Sequence, residues 1–113
     1  MENCLFCRIS RGDIPARKVY EDESVVVIED IAPAAPVHLL IIPREHIVNC
    51  LDLKVEDAQL IGHIHLVAAK IAREKGLEEG FRLVNNNNSG AGQSVFHIHF
   101  HLLGGRSLQW PPG

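Results

Sequence analysis

The chain has 113 residues, 46% hydrophobic and 22% charged, which fits one compact soluble domain and leaves little room for a second. Lys plus Arg is 11 and Asp plus Glu is 14, a net charge of −3 with neutral histidines, so there is no basic excess to grip a nucleic-acid backbone. No apolar run is long enough to cross a bilayer and no basic segment leads an apolar one at the start, so the expected setting is intracellular and cytoplasmic, without membrane or nucleic-acid partners.

In chain order, Cys4 to Arg11 places Leu5, Phe6 and Ile9 on one side and reads as a short helix ended by Gly12. Asp13-Ile14-Pro15 is a turn, because proline restricts the residue before it. Lys18 to Glu21 and Ser24 to Glu29 read as strands joined by a hairpin turn at Asp22-Glu23, and the β-branched run Val25-Val26-Val27-Ile28 marks a buried strand. Asp30 to Pro36 is a loop, and Val37 to Ile42 is a further strand stopped by Pro43. The main helix is expected over Glu56 to Lys75, where Leu60, Ile64, Val67 and Ile71 recur at helical spacing and Gly76 follows. His63 and His65 flank that stripe and are expected at the surface, and Cys50 in the core. Phe81 to Asn85 reads as a strand, Asn86 to Gln93 as a glycine-containing loop, Ser94 to Leu103 as the last strand, and Trp110 to Gly113 as an extended tail. Residues 1–113 thus form a single α+β domain, with about five strands in an antiparallel sheet, one long helix and one short helix.

The chemistry concentrates in His97-Ile98-His99-Phe100-His101-Leu102-Leu103. Strand side chains alternate faces, so the three imidazoles share one side while Ile98, Phe100 and Leu102 point into the core; a helix would set successive histidines about 200° apart. Histidine can attack, exchange protons or bind metal near neutral pH. The preceding loop carries Asn86, Gly90, Gly92 and Ser94, small residues able to aim backbone N–H groups at an anion. Histidines facing such a cradle point to phosphoryl or nucleotidyl transfer, although Gly/Asn loops also make ordinary hairpin turns.

Cys4-Leu5-Phe6-Cys7 offers two thiolates from one turn. Tetrahedral zinc needs two ligands beyond Cys4 and Cys7, and His46 or a histidine of the triplet such as His97 could complete the shell; a redox pair or two packed thiols are the alternatives. Asp30 is either a loop cap or a carboxylate that binds ligand hydroxyls, and His38, read alone, is a structural histidine.

The triplet resembles the His-φ-His-φ-His-φ-φ signature of the histidine-triad (HIT) family, φ being an apolar residue. The resemblance runs through Cys4-Leu5-Phe6-Cys7-Arg8-Ile9, Gly12-Asp13-Ile14-Pro15, Val19-Tyr20-Glu21-Asp22, Asp30-Ile31-Ala32-Pro33, Ala35-Pro36-Val37-His38, Ile42-Pro43, His46-Ile47 and Gly92-Gln93-Ser94-Val95. Leu103-Gly104-Gly105-Arg106 and the Trp110-Pro111-Pro112-Gly113 ending are similar to the HINT branch. What this implies is a HIT-like fold and a purine nucleoside phosphoramidase that works as a homodimer, its sheets joined across the interface. His99 would be the nucleophile and form a nucleotidyl-histidine, His101 would meet the phosphate, and His38 would complete the cluster. Asn86, Gly92 and Ser94 would hold phosphate oxygens and the leaving group, beside Val95. Asp30 would take the ribose hydroxyls. Leu5, Phe6, Ile9, Ile28 and Ile31 would form the slot for the base, and Trp110 would reach the partner's site. Ile28 stands where an aromatic is common. The animal branch lacks the Cys-x-x-Cys, whereas many bacterial relatives bind zinc through it; Cys4, Cys7, His46 and His97 match that set and imply a structural zinc, with no organic cofactor. The two other readings are a purine nucleotide-binding scaffold without turnover and a zinc metallohydrolase in which His97, His99 and His101 bind the metal together.

Overall fold

The computed structural model describes residues 2–113. Helix α1 spans Leu5–Arg11; Cys4 caps its start, its Sγ accepting the Cys7 N–H at 3.4 Å, and Gly12 ends it at φ +86°, a conformation that favours glycine. Strands β1 (Lys18–Glu21) and β2 (Val25–Glu29) form the hairpin. Its turn is closed by Asp22, whose Oδ1 accepts the N–H groups of Ser24 and Val25, each at 2.8 Å. Strand β3 is Val37–Pro43, helix α2 is Ala58–Glu74, and β4 and β5 are Phe81–Val84 and Phe100–Gly104. Helix α2 starts two residues later than its sequence pattern because Val55–Asp57 form a 3-10 turn, with the Asp57 carboxylate accepting the Lys54 N–H at 2.9 Å.

The strands form one antiparallel sheet in the order β1-β2-β3-β5-β4. Leu40 faces His101 across β3 and β5, and Val84 faces His101 across β4 and β5. Helix α2 covers one face, packing Ile64, Val67, Ala68 and Ile71 against Val25, Val27, Leu39, Ile41, Ile98, Phe100 and Leu102. Helix α1 covers part of the other, with Phe6 and Ile9 on Val26, Ile28, Leu40 and Ile42. A seven-residue helix is about 10 Å long, whereas five strands span about 19 Å, so α1 leaves much of its face open. The cleft described below occupies that gap.

Two expectations are corrected. The last strand was expected from Ser94 but joins the ladder only at Phe100. The preceding residues run past the end of β4 at Val84, and the Pro43 carbonyl at the end of β3 is taken by the His97 ring instead. Ile98 still anchors this segment, donating its N–H to the Ile47 carbonyl at 2.6 Å, and the alternation of faces survives without the ladder. Cys50 is exposed rather than in the core; it starts a 3-10 turn, and its thiol donates to Asn85 Oδ1 at 2.9 Å. As expected, His65 is exposed, and His63 is half-exposed and sits 2.7 Å from Asp22 Oδ2.

Candidate active site and metal site

The three histidines do share a side of the chain, but they face two different sites. His97 is fully buried, and its Nε2–H donates to the Pro43 carbonyl at 2.7 Å. In a neutral ring that leaves a lone pair on Nδ1. Burial pushes the ring down to about 4, so it is neutral near pH 7. Nδ1 faces Cys4 Sγ at 3.3 Å, Cys7 Sγ at 3.5 Å and His46 Nδ1 at 3.2 Å, while Cys7 Sγ lies 3.4 Å from His46 Nδ1. All four ligand atoms fall within 4.8 Å of one another and could hold a metal ion. A tetrahedron built on zinc bonds of about 2.0–2.3 Å has edges of about 3.3–3.8 Å, so the spacing and the S2N2 donor set fit that ion.

His99 is buried and turns its Nδ1–H onto the carbonyl of His97 at 2.8 Å. The ring nitrogen left bare is Nε2, and the residue lines the open cleft. Burial also holds the His99 ring below its ordinary range, which keeps it neutral and able to attack. The next ring, His101, has its centroid 5.2 Å away. Its proton is assigned by a chain of partners. The Ala34 N–H donates to His38 Nδ1 at 3.0 Å, so the His38 proton sits on Nε2 and points to His101 Nδ1 at 2.9 Å. His101 therefore carries its own proton on Nε2, where it can serve as a donor.

Asp30 Oδ1 caps its loop by accepting the Ala32 N–H at 2.7 Å, and Oδ2 lies 3.4 Å from His38 Nε2. The loop-cap reading of Asp30 is thus met, and the residue also lines the cleft. Asp30, His38 and His101 place three ligand atoms within 4.8 Å. His38 would have to give up its Nε2 proton to bind a cation while Nδ1 accepts from Ala34, so this cluster reads as a holder of protons. The metallohydrolase reading fails on geometry: His97 aims at the cysteines, and His99 and His101 do not join it in any metal-binding group among the described residues.

The cleft measures about 960 Å3, at the upper end of small-molecule sites. Leu5, Phe6, Ile9, Ile28, Ile31 and Val95 line its apolar part, and Asp30, Asn86, Gly92, Ser94, His99 and His101 its polar part. Sequence reasoning missed Ile14, Pro15, Ala16, Arg17, Glu29 and Leu40. Ile14 and Pro15 read as part of a plain turn and Ala16 carries no reading; their signal is an apolar Ile14 and Ala16 on either side of a proline. His38 stands behind the cleft and acts on it through His101. Trp110 is not brought to it: the residue is 81% exposed on a tail anchored by the bond from Arg82 to the Gln109 carbonyl at 2.8 Å. The phosphate-type loop is held by buried Gln93. Its Oε1 accepts from the Asn88 N–H (2.7 Å) and Asn49 Nδ2 (3.2 Å), and its Nε2 donates to the carbonyls of Val48 (2.7 Å) and Val95 (3.1 Å). Gly92 turns the loop at φ +94°.

Fold and site together define a class: a small α+β protein in which the segment leading into the last strand presents a neutral histidine to a nucleotide-sized cleft. Comparison with known proteins narrows this. A family model described as "Scavenger mRNA decapping enzyme C-term binding" matches residues 3–109. An uncharacterized HIT-like protein of Synechococcus elongatus is 49% identical over 112 residues, 99% of this chain and 98% of that one. Among solved structures, a HIT family hydrolase from Legionella pneumophila superposes with a TM-score of 0.97 at 54% identity, covering 98% of this chain and 100% of that one. A HIT family hydrolase from Clostridium thermocellum does so at 0.93 and 49%, covering 96% of each chain. The chain belongs to the histidine-triad (HIT) family.

Proposed function

We propose that this protein hydrolyses purine nucleoside 5′-phosphoramidates to the nucleoside monophosphate and an amine, through a covalent nucleotidyl-histidine on His99. The observation that carries this reading is the placement of His99, with Nδ1–H locked on a carbonyl and Nε2 bare beside the His101 donor. Nε2 attacks the α-phosphorus, the P–N bond breaks, and the leaving nitrogen takes a proton from solvent to depart as the amine, a proton that the attacking water later gives back. Water then attacks the phosphorus, releases the nucleoside monophosphate and returns His99 to its neutral form. His101 Nε2–H meets the phosphoryl oxygen, where negative charge builds up in the transition state. Asn86, Gly92 and Ser94 hold the remaining oxygens and the leaving group. Asp30 Oδ2 accepts from the ribose hydroxyls, and Leu5, Phe6, Ile9, Ile28 and Ile31 grip the base, with Val95 beside them.

Cys4, Cys7, His46 and His97 are read as a structural zinc site with four protein ligands, which when loaded ties α1 to the segment before β5. A thiolate metal site suits the reducing cytoplasm, and no helix among the described residues is long and apolar enough to cross a membrane. The working form is taken as a homodimer. The edge strand β4 and the 70% exposed Leu66 on α2 offer a surface for the partner, and Trp110 would reach its cleft.

The test is hydrolysis of adenosine 5′-phosphoramidate by the wild type and by His99→Ala. AMP release that disappears in the variant supports the reading; no release, or equal release by both proteins, discards His99 as the nucleophile.

A further inference from the structure

Asn85 reads from sequence as the last residue of a strand, yet β4 ends at Val84 and the Asn85 side chain touches the nucleophile's backbone. The ladder between β4 and β5 ends at the pair Val84 and His101. Beyond it the chain at His99 has left the sheet, and a side chain supplies the missing rung: Asn85 Nδ2 donates to the His99 carbonyl at 2.9 Å. The orientation of this carboxamide is determined by its other contacts. Asn85 Oδ1 accepts from Asn87 Nδ2 at 3.0 Å and from the Cys50 thiol at 2.9 Å, so a flipped amide would set oxygen against the His99 carbonyl and NH2 against two donors. Asn87 is held in turn by the Cys50 N–H at 2.7 Å. The 3-10 turn at Cys50–Asp52 thereby braces Asn85 from outside the sheet.

Both carbonyls around the nucleophile are thus engaged, that of His97 by the His99 ring and that of His99 by Asn85. We propose that Asn85 is a positioning residue for His99: its carboxamide fixes the peptide that aims the ring, so that Nδ1 keeps its proton on the His97 carbonyl and Nε2 faces the cleft unprotonated. Without this brace the peptide at His99 shifts, the ring loses its carbonyl acceptor, and the proton moves to Nε2, the nitrogen that has to attack. The inference rests on the reading of His99 as nucleophile, and its first readout needs no turnover.

The full-length protein with 15N-labelled histidine rings is compared with Asn85→Val and Asn85→Asp by long-range 1H–15N correlation at neutral pH. Asn85→Asp keeps the shape and the acceptors but has no donor for the His99 carbonyl, so it decides the question if the valine variant does not fold. The wild type is expected to show His99 as a single Nδ1–H tautomer and the variants a mixture. AMP release from adenosine 5′-phosphoramidate should fall about tenfold or more in kcat with KM within about twofold, a split that general loosening of the fold would not give. An unchanged tautomer in a folded variant overturns the proposal, and so does an unchanged kcat where the wild type turns over. A wild type that releases no AMP, with the tautomer lost in the variants, overturns the phosphoramidase reading and leaves the positioning role standing.

Discussion

The relay from Ala34 through His38 to His101 can be broken with one substitution of similar volume. His38→Phe removes both ring nitrogens from a side chain only 7% exposed. The N–H of Ala34 lies in an exposed stretch and can turn to water. His101 Nδ1 cannot do so as easily, because its donor at 2.9 Å came from within the cluster. His101 then either keeps Nδ1 as an unpartnered acceptor, at about 1–3 kcal/mol, or moves its proton there and turns a lone pair on Nε2 towards the phosphate. Losing a hydrogen bond to a charged oxygen in the transition state costs about 1.5–3 kcal/mol, which corresponds to about 10- to 150-fold in rate. Steady-state AMP release gives the rate, and urea unfolding gives the stability of the same preparation. A kcat/KM within about threefold of wild type in a folded variant would refute the relay.

Other predictions follow from the same geometry. The purified protein should carry stoichiometric zinc, and Cys7→Ser should lose it together with several degrees of melting temperature; a metal-free wild type that melts like the variant removes the zinc assignment. His101 is held at about 4, first by burial and then by its neighbours His99 and His38. Its folded value lies below the unfolded one, so between about pH 6.5 and 4 the unfolded chain binds the extra proton and stability falls as pH falls. After discounting for solvent, that loss is of order 1–2 kcal/mol, and His101→Gln should flatten it in urea titrations across the window; equal slopes would contradict the assignment. Deleting Trp110 to Gly113 should change the relative rates for different amine leaving groups, whereas identical selectivity would mean that the tail does not reach a cleft.

The elements were legible where local physics decides them. Gly12 ends α1, the β-branched run Val25 to Ile28 is β2, and the stripe through Ile64, Val67 and Ile71 is α2. The order of the strands was not, because the pairing of β3 with β5 spans about sixty residues of chain and no local pattern encodes it. The histidine row was visible through its period of two, but its division between two sites depends on the Pro43 carbonyl and on where β4 ends. Cys50 was misread because a small thiol is usually core, and here an Asn side chain provides its partner. Arg44 gave no sequence signal at all. It joins the Asp22 carbonyl (2.8 Å), the Ser10 carbonyl (2.8 Å) and Glu21 Oε1 (2.9 Å), and so fastens α1 to the hairpin.

Helix α1 has two tenants. Its Phe6 ring packs edge-on with both His97, at 6.0 Å, and His99, at 5.0 Å, while Leu5, Phe6 and Ile9 wall the apolar end of the cleft and Cys7 belongs to the group of four side chains that could hold a metal ion. One seven-residue element therefore answers to occupancy on both sides. Whatever a bound base does to steady this helix, it does to the cysteines as well, and the equality of thermodynamic coupling makes the exchange mutual. On the proposed reading, in which zinc and a nucleotide both bind, whatever factor the ion adds to the affinity for the nucleotide the nucleotide adds to the affinity for the ion.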